Sequence, residues 1–316
     1  ALLLARNGHT VRLWGHDPEE VAPLRREREN RRYLPGIPFP AALTVGTDLV
    51  AAVAGVELIL AAVPSHAYRA TLAQLRRSLP ATAVLTWATK GLEPGSGRFL
   101  HEVTDEVLGE VCPTAVISGP SFASEVARGL PTAVTVAARD VDCARWVAAR
   151  LHGSNLRAYT SLDVIGVELG GAIKNVLAIA AGVADGLGFG ANARAALITR
   201  GLAEMTRLGL AVGGRRETFM GLAGIGDLVL TCTDDQSRNR RFGLAIGRGE
   251  TTAAAFAAIG QVVEGAATAR EALRLAQRHG VEMPITEQVD QVLHHGQNPR
   301  QAVEILLARD PKPEES

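Results

Sequence analysis

The stretch LILAAVPSHAYRATLAQLRRSLPATAVLTWAT, residues 58–89, decides the fold. LILAAV (58–63) and AVLTWAT (83–89) are short apolar runs of the kind that form buried strands, and residues 66–78 between them carry helical patterning. Strand, helix and strand in that order read as a right-handed crossover, which makes the two strands parallel and lays the helix on one face. The alternation extends both ways: VRLW (11–14) lies upstream, AVIS (115–118) and TAVTVAA (132–138) downstream, with helical segments at 98–108 and 140–151. The first part of the chain is therefore predicted to be a doubly wound α/β domain, a mostly parallel sheet covered on both faces. Such sheets bind ligands at the carboxyl ends of their strands, so VPSH (63–66), TKGLEPGSG (89–97) and SGPSF (118–122) are expected to line a site.

After about Ser161 the period changes. DVIGVELGGAIKNVLAIAAGVADG, ARAALITRGLAEMTRLGLAV and GAATAREALRLAQRHG repeat apolar residues every three or four positions, which predicts an all-helical second domain. The expected boundaries are 1–160 for the α/β domain, 161–308 for the helical domain, and 309–316 for a disordered tail. GLGFGAN (186–192) follows a helix rather than a strand, so its glycines read as a loop and not as a dinucleotide fingerprint.

Composition narrows the function classes. A net charge of zero and a pI near 7.3 argue against nucleic acid or an anionic membrane surface as partner. Three widely spaced cysteines, with no CxxC pair and no ligand histidines nearby, predict neither a disulfide framework nor a metal site. No uninterrupted apolar run reaches about 18 residues, so no membrane span is expected. The compartment that fits is a reducing cytoplasm.

Of 33 basic residues only three are lysine: Lys90, Lys174 and Lys312. An ammonium differs from a guanidinium in being a compact donor whose pKa falls on burial, so the two internal lysines are candidates for proton chemistry. An arginine-rich codon bias that spared two lysines would leave the same count. In and just before LGGAIKNV (169–176), Gly166, Gly170 and Lys174 follow at four-residue steps, with Gly171 beside them. Mid-helix glycines each cost about 1 kcal/mol against alanine, so a flat ligand or another backbone is expected against that stripe. In GIGDLVLTCT, Asp227 and Thr231 share a helix face, where the acid can orient a buried lysine or merely cap a helix. SRNRRFG (237–243) offers arginine forks that match phosphate oxygens, or a solvated basic face.

Taken together these stretches resemble bacterial NAD(P)-dependent glycerol-3-phosphate dehydrogenase. The resemblance is carried, in order, by LARNGH, LWGHD, VPSH, WATKGLE, ISGPSFA, LGGAIKNV, DGLGFGANARAALITRGLAEM, GDLVLTCTD, QSRNRRFG, GQVVEG and VEMPITE. It implies a Rossmann-like sheet followed by a helical substrate domain, commonly in a homodimer. It implies reversible reduction of dihydroxyacetone phosphate, a small phosphorylated triose, to sn-glycerol 3-phosphate for phospholipid synthesis. NADPH or NADH would be the cofactor, with NADPH favoured. By the same resemblance Lys174 is the proton donor, Lys90 its partner in polarising the carbonyl oxygen, and Asn175, Asp227 and Thr231 order the pair. Arg238 and Asn239 would clamp the phosphate, with Gly119 and Ser121 also on the substrate. Cofactor contacts would come from His16, Ala123, Val262 and Glu264, together with Lys90 and Arg238. Asp17, beside His16, is the candidate for a ribose 2′-hydroxyl. A related two-domain reductase of 3-hydroxyacids, or a nucleotide-sensing module without turnover, would keep the architecture.

One departure from the family stands at the start. ALLLARN reads as the last turns of a helix, Gly8 as its stop, so the opening strand and GxGxxG turn are missing from the sequence. The expectation is an in-frame upstream segment that supplies both, and that tightens NADPH binding by orders of magnitude when present.

Overall fold

The structure is a computed structural model, and it describes residues 1–109 and 111–310. The chain divides into two compact units, Ala1–Thr89 with Leu100–Val167, and Lys90–Phe99 with Glu168 onward.

Among its described residues the first unit holds seven strands: β1 (Val11–Trp14), β2 (Leu43–Gly46), β3 (Leu58–Ala61), β4 (Val84–Trp87), β5 (Thr114–Ser118), β6 (Thr132–Ala138) and β7 (Leu156–Ser161). They form a parallel pair, β1 with β2, and a five-stranded sheet in the order β3-β4-β5-β6-β7. The crossover read from residues 58–89 is present: β3 and β4 are parallel, with Leu58 opposite Val84, and the helix Ser65–Leu75 joins them. Parallelism breaks once, where β6 runs antiparallel to β5. β2 and β7 were not among the sequence-predicted strands. LTVG is too short to stand out as an apolar run, and LRAYTS belongs to an edge strand whose Tyr159 is half exposed, so it lacks a continuous apolar stretch. The core is made by β4, β5 and β6 with the Val141–Leu151 helix, through Val84, Ala115, Val134, Val136, Ala144 and Val147. Asn7, just past the first helix, donates to the carbonyls of Arg150, Leu151 and His152, the orphan acceptors at that helix's end.

Every described element of the second unit is helical. At its centre is Val164–Gly186, whose 23 residues are apolar and long enough to cross a membrane by length and composition, yet 89% of its apolar window is buried inside the protein. Apolar residues on all sides are what a helix wrapped by other helices requires. Its glycines admit those neighbours. A Cβ on Gly170 would collide with the carbonyl oxygen of Ala223, and Cβ atoms on Gly182 and Gly186 would strike the backbone of the helix Arg238–Gly247. The reverse face matches: Cβ atoms on Gly243 and Gly247 would strike the backbone at Ile179 and Val183. Of the two occupants expected against the Gly170 stripe, a backbone is the one present, and Gly166 instead makes room for the carboxylate of Asp163, which accepts its N–H at 2.9 Å.

In GLGFGAN only residues 187–189, with Gly188 at positive φ, lie between helices; Gly186 closes Val164–Gly186 and Gly190, also at positive φ, opens the helix Gly190–Ala211. Most of the expected disordered tail, residues 311–316, lies outside the described residues. Its first residue, Arg309, is described and pairs with Glu282 at 2.9 Å.

Candidate active site

Three segments of the helical unit converge on one carboxylate. The π-helical turn Leu222–Gly226 bends at Gly224, which has non-helical φ and ψ, and delivers Asp227 as the first residue of the helix Asp227–Thr233. Asp227 is 1% exposed. Its Oδ1 lies 3.0 Å from Lys174 Nζ and its Oδ2 2.6 Å from Lys90 Nζ, so one carboxylate bridges both internal lysines. The helix it opens needs no capping by its side chain: the N-cap position falls on Gly226, and the carboxylate is engaged with the lysines.

Thr231, one turn on, donates its hydroxyl proton to the Asp227 backbone oxygen at 2.6 Å, which leaves its lone pairs toward Lys174. Lys174 donates to it at 2.8 Å. Two of the three N–H bonds of the Lys174 ammonium are thereby directed at Asp227 and Thr231.

Lys174 is almost entirely buried, and burial pushes its ammonium down from the usual lysine range to about 8; Asp227 works against that fall and Lys90 adds to it. Burial also pushes the Asp227 carboxyl up, but the two ammonium groups outweigh it and hold the acid below its ordinary value. At neutral pH the arrangement is a carboxylate between two ammonium groups, one of which can give up its proton only slightly above neutrality. The buried Cys232 thiol beside them is pushed up to about 12, mainly by burial, and stays protonated.

Asn175 and Asn239 extend the cluster. Asn175 donates to the Lys90 carbonyl at 3.3 Å and the Gly171 carbonyl at 3.2 Å, and accepts from Asn239 Nδ2 at 3.0 Å. Asn239 Oδ1 in turn accepts the N–H of Gly265 at 2.9 Å, in the first turn of the helix Glu264–Arg278. Ser237 Oγ caps the helix Arg238–Gly247 by accepting the Arg240 N–H at 3.2 Å. Arg238, first residue of that helix, is exposed and donates to Gln261 Oε1 at 3.2 Å. The segment that carries Lys90 packs with the helices because Glu271, buried, accepts the Gly95 N–H at 2.9 Å. Gln261 and Glu271 were not singled out in the sequence, and Ser237 and Arg240 only as members of the SRNRRFG run. Ser237 had the signal of a helix cap, whereas the partners of Gln261 and Glu271 are remote along the chain.

The remaining predicted residues divide between the units. Val262 and Glu264 lie in the helical unit, at and just before the start of Glu264–Arg278. His16, Gly119, Ser121 and Ala123 lie in the α/β unit. Gly119 has φ +130°, and a Cβ there would sit 3.1 Å from the Val134 Cα, so its backbone already requires glycine. Ser121 Oγ turns back to the Gly119 carbonyl at 2.9 Å. His16, after β1, and Ala123, after β5, both keep exposed surface past their strands. Asp17 Oδ1 accepts the Glu19 N–H at 2.8 Å as a helix cap, which competes with the ribose contact expected of it.

Comparison with known proteins matches residues 1–144 to the N-terminal model of NAD-dependent glycerol-3-phosphate dehydrogenase and residues 163–304 to its C-terminal model. The chain is 60% identical over 314 residues to glycerol-3-phosphate dehydrogenase [NAD(P)+] of Thioalkalivibrio sulfidiphilus, covering 99% of this chain and 94% of that one. It is 56% identical over 315 residues to the protein of that name from Pseudoalteromonas translucida, with the same coverage. A crystal structure of glycerol-3-phosphate dehydrogenase from Coxiella burnetii superposes with a TM-score of 0.94 at 51% identity, covering 98% of this chain and 94% of that one.

Proposed function

The chain belongs to the NAD-dependent glycerol-3-phosphate dehydrogenase family, and from that membership we infer that it reduces dihydroxyacetone phosphate reversibly to sn-glycerol 3-phosphate with NADPH or NADH. The observation that carries the reading is the buried carboxylate shared by Lys174 and Lys90. A nicotinamide cofactor, when bound, would supply hydride. Everything else falls to side chains.

Lys174 holds its third N–H for the carbonyl oxygen and releases that proton as the oxygen becomes a hydroxyl; in the reverse direction the neutral amine takes it back. Its pKa of about 8 suits both directions near neutral pH. Lys90 polarises the same oxygen as a second positive charge, and Asp227 keeps two ammonium groups close together that would otherwise repel. Thr231 and Asn175 fix the donors, Thr231 at the Lys174 nitrogen and Asn175 at the Lys90 backbone. Arg238 and Asn239 take the phosphate, with Gly119 and Ser121 completing the substrate contacts. His16, Ala123, Val262 and Glu264, with Lys90 and Arg238, contact the cofactor. The chain acts in the cytoplasm as a homodimer, and its product feeds glycerophospholipid synthesis. Residues 1–160 serve as the dinucleotide domain and 161–308 as the substrate domain.

Steady-state NADPH oxidation tests this. Arg238→Ala is expected to lower kcat/KM for dihydroxyacetone phosphate at least about ten- to a hundredfold, the loss of one charge-assisted phosphate contact. At saturating NADPH, which offsets any lost cofactor contact, unphosphorylated dihydroxyacetone should be reduced by the variant as well, or as poorly, as by the unsubstituted protein. Equal losses on the two ketones would remove Arg238 from the phosphate.

A further inference from the structure

We propose that Arg240 is a positioning residue for this reaction: it fixes the helix that presents Arg238 against the two helices that carry Lys174 and Asp227. The proposal rests on the dehydrogenase reading above. Arg240 itself is 8% exposed and faces away from solvent, so it acts through its neighbours.

Its guanidinium holds three elements at once. Nε donates at 3.1 Å to the carbonyl of Cys232, in the last turn of the Asp227–Thr233 helix, where carbonyls have no partner within their own helix. One terminal nitrogen donates at 2.7 Å to Oδ2 of Asp185, in the last turn of the Lys174 helix, and the other pairs with Asp235 in the turn that leads to Ser237. Asp185 is itself gripped by Arg194, whose Nη1 lies 2.9 Å from both of its carboxylate oxygens. The helix bearing Arg240 therefore cannot rotate about its axis without breaking bonds to both catalytic helices.

Packing removes the remaining freedom. The Arg240 carbonyl oxygen occupies the space a Cβ on Gly182 would need, and Gly243 and Gly247 bring the same helix onto Ile179 and Val183. Glycine contacts set how closely the two helices approach, while the arginine fork sets the angle at which the first turn emerges. Arg238 sits two residues before Arg240 in that turn, exposed, with Gln261 its recorded side-chain partner. Its aim is consequently inherited from the backbone that Arg240 anchors. A lysine at 240 keeps the charge but has one nitrogen in place of a planar fork, and cannot bridge three acceptors in one plane.

The test compares Arg240→Lys with Asp235→Ala. Asp235 is a largely exposed partner of Arg240 outside the helices, so its removal spares the buried pairs. For Arg240→Lys the expected result is a KM for dihydroxyacetone phosphate raised about tenfold, with kcat within about threefold and turnover of unphosphorylated dihydroxyacetone unchanged. Asp235→Ala should shift the same KM about two- to threefold at an unchanged melting temperature. A merely structural arginine would lower the melting temperature and leave this split between substrates untouched. If Arg240→Lys does not fold, an unchanged KM in Asp185→Asn, which weakens the buried 2.7 Å pair itself, is enough to overturn the proposal. An unsubstituted protein that oxidises no NADPH with dihydroxyacetone phosphate overturns the dehydrogenase reading; an active one whose Arg240→Lys variant keeps its KM overturns this inference alone.

Discussion

In the reaction proposed above, Lys174 concentrates the acid–base chemistry into one nitrogen. Burial lowers its pKa to about 8, and the neighbouring Asp227 keeps it from falling further. In the reducing direction the protonated form is needed, so kcat is expected to decline as pH rises through about 8. In the oxidising direction the neutral amine is needed, so kcat should rise over the same interval. Initial rates between pH 6 and 10 in both directions measure this, and parallel profiles would exclude a shared acid–base group. Lys174→Arg retains a cation whose pKa exceeds about 12, and its loss of proton transfer should cut kcat by about 10² to 10⁴-fold. A variant that keeps more than about a tenth of the activity would shift the proton to Lys90. Thr231 and Asp227 occupy two of the donors of Lys174, so a guanidinium must also displace a network built around a single nitrogen.

Between elements, backbone contact rather than side-chain interdigitation sets the geometry. Four glycines, at 182, 186, 243 and 247, line the crossing of Val164–Gly186 with Arg238–Gly247. Alanine at an exposed helical glycine is ordinarily stabilising by about 0.5–1 kcal/mol. Gly243→Ala should do the reverse, because the new methyl meets the Ile179 carbonyl and neither backbone can give way. The expected outcome is a loss of roughly 1–3 kcal/mol, the usual cost of overpacking, in denaturant titration. A higher KM for dihydroxyacetone phosphate should accompany it as Arg238 moves. A variant as stable as the unsubstituted protein would mean that the two helices separate freely. The sequence announced both helices by their period, yet a glycine stripe reads alike whether it faces a ligand or a backbone. Contact with Ala223 at Gly170 decides for the backbone there.

At the scale of the whole molecule, stability should depend on pH through a group remote in sequence from every site residue. Glu204 accepts the N–H of Ile285 at 2.7 Å and of Thr286 at 3.4 Å, satisfying the start of the helix Pro284–His294. Burial raises its pKa from the usual glutamate value to about 7, although those N–H groups pull it down. A raised acid binds more protons folded than unfolded, so its contribution is full below about pH 4.5 and is lost as pH rises through about 7. Thermal melts from pH 5 to 7.5 are expected to fall, by up to about 3 kcal/mol of unfolding free energy. Glu204→Gln, which cannot ionise, should flatten that slope. An equal slope in both proteins would assign the pH dependence elsewhere.

Sequence alone determined the elements and the chemical vocabulary. Crossover patterning in residues 58–89 fixed the α/β unit, the three- and four-residue period fixed the helical one, and the scarcity of lysine singled out Lys90 and Lys174. Asp227 and Thr231 were legible as a pair because helical spacing is local. Tertiary structure alone decided that one carboxylate serves both lysines, although 84 residues separate Lys90 from Lys174. It also decided that Arg240 is a buried hub while Arg238 is exposed, within one arginine run that reads uniformly as basic. The reason is physical: periodicity records which face of an element is buried, but a partner's identity depends on which remote backbone or charge reaches that face after packing, and no local pattern encodes it.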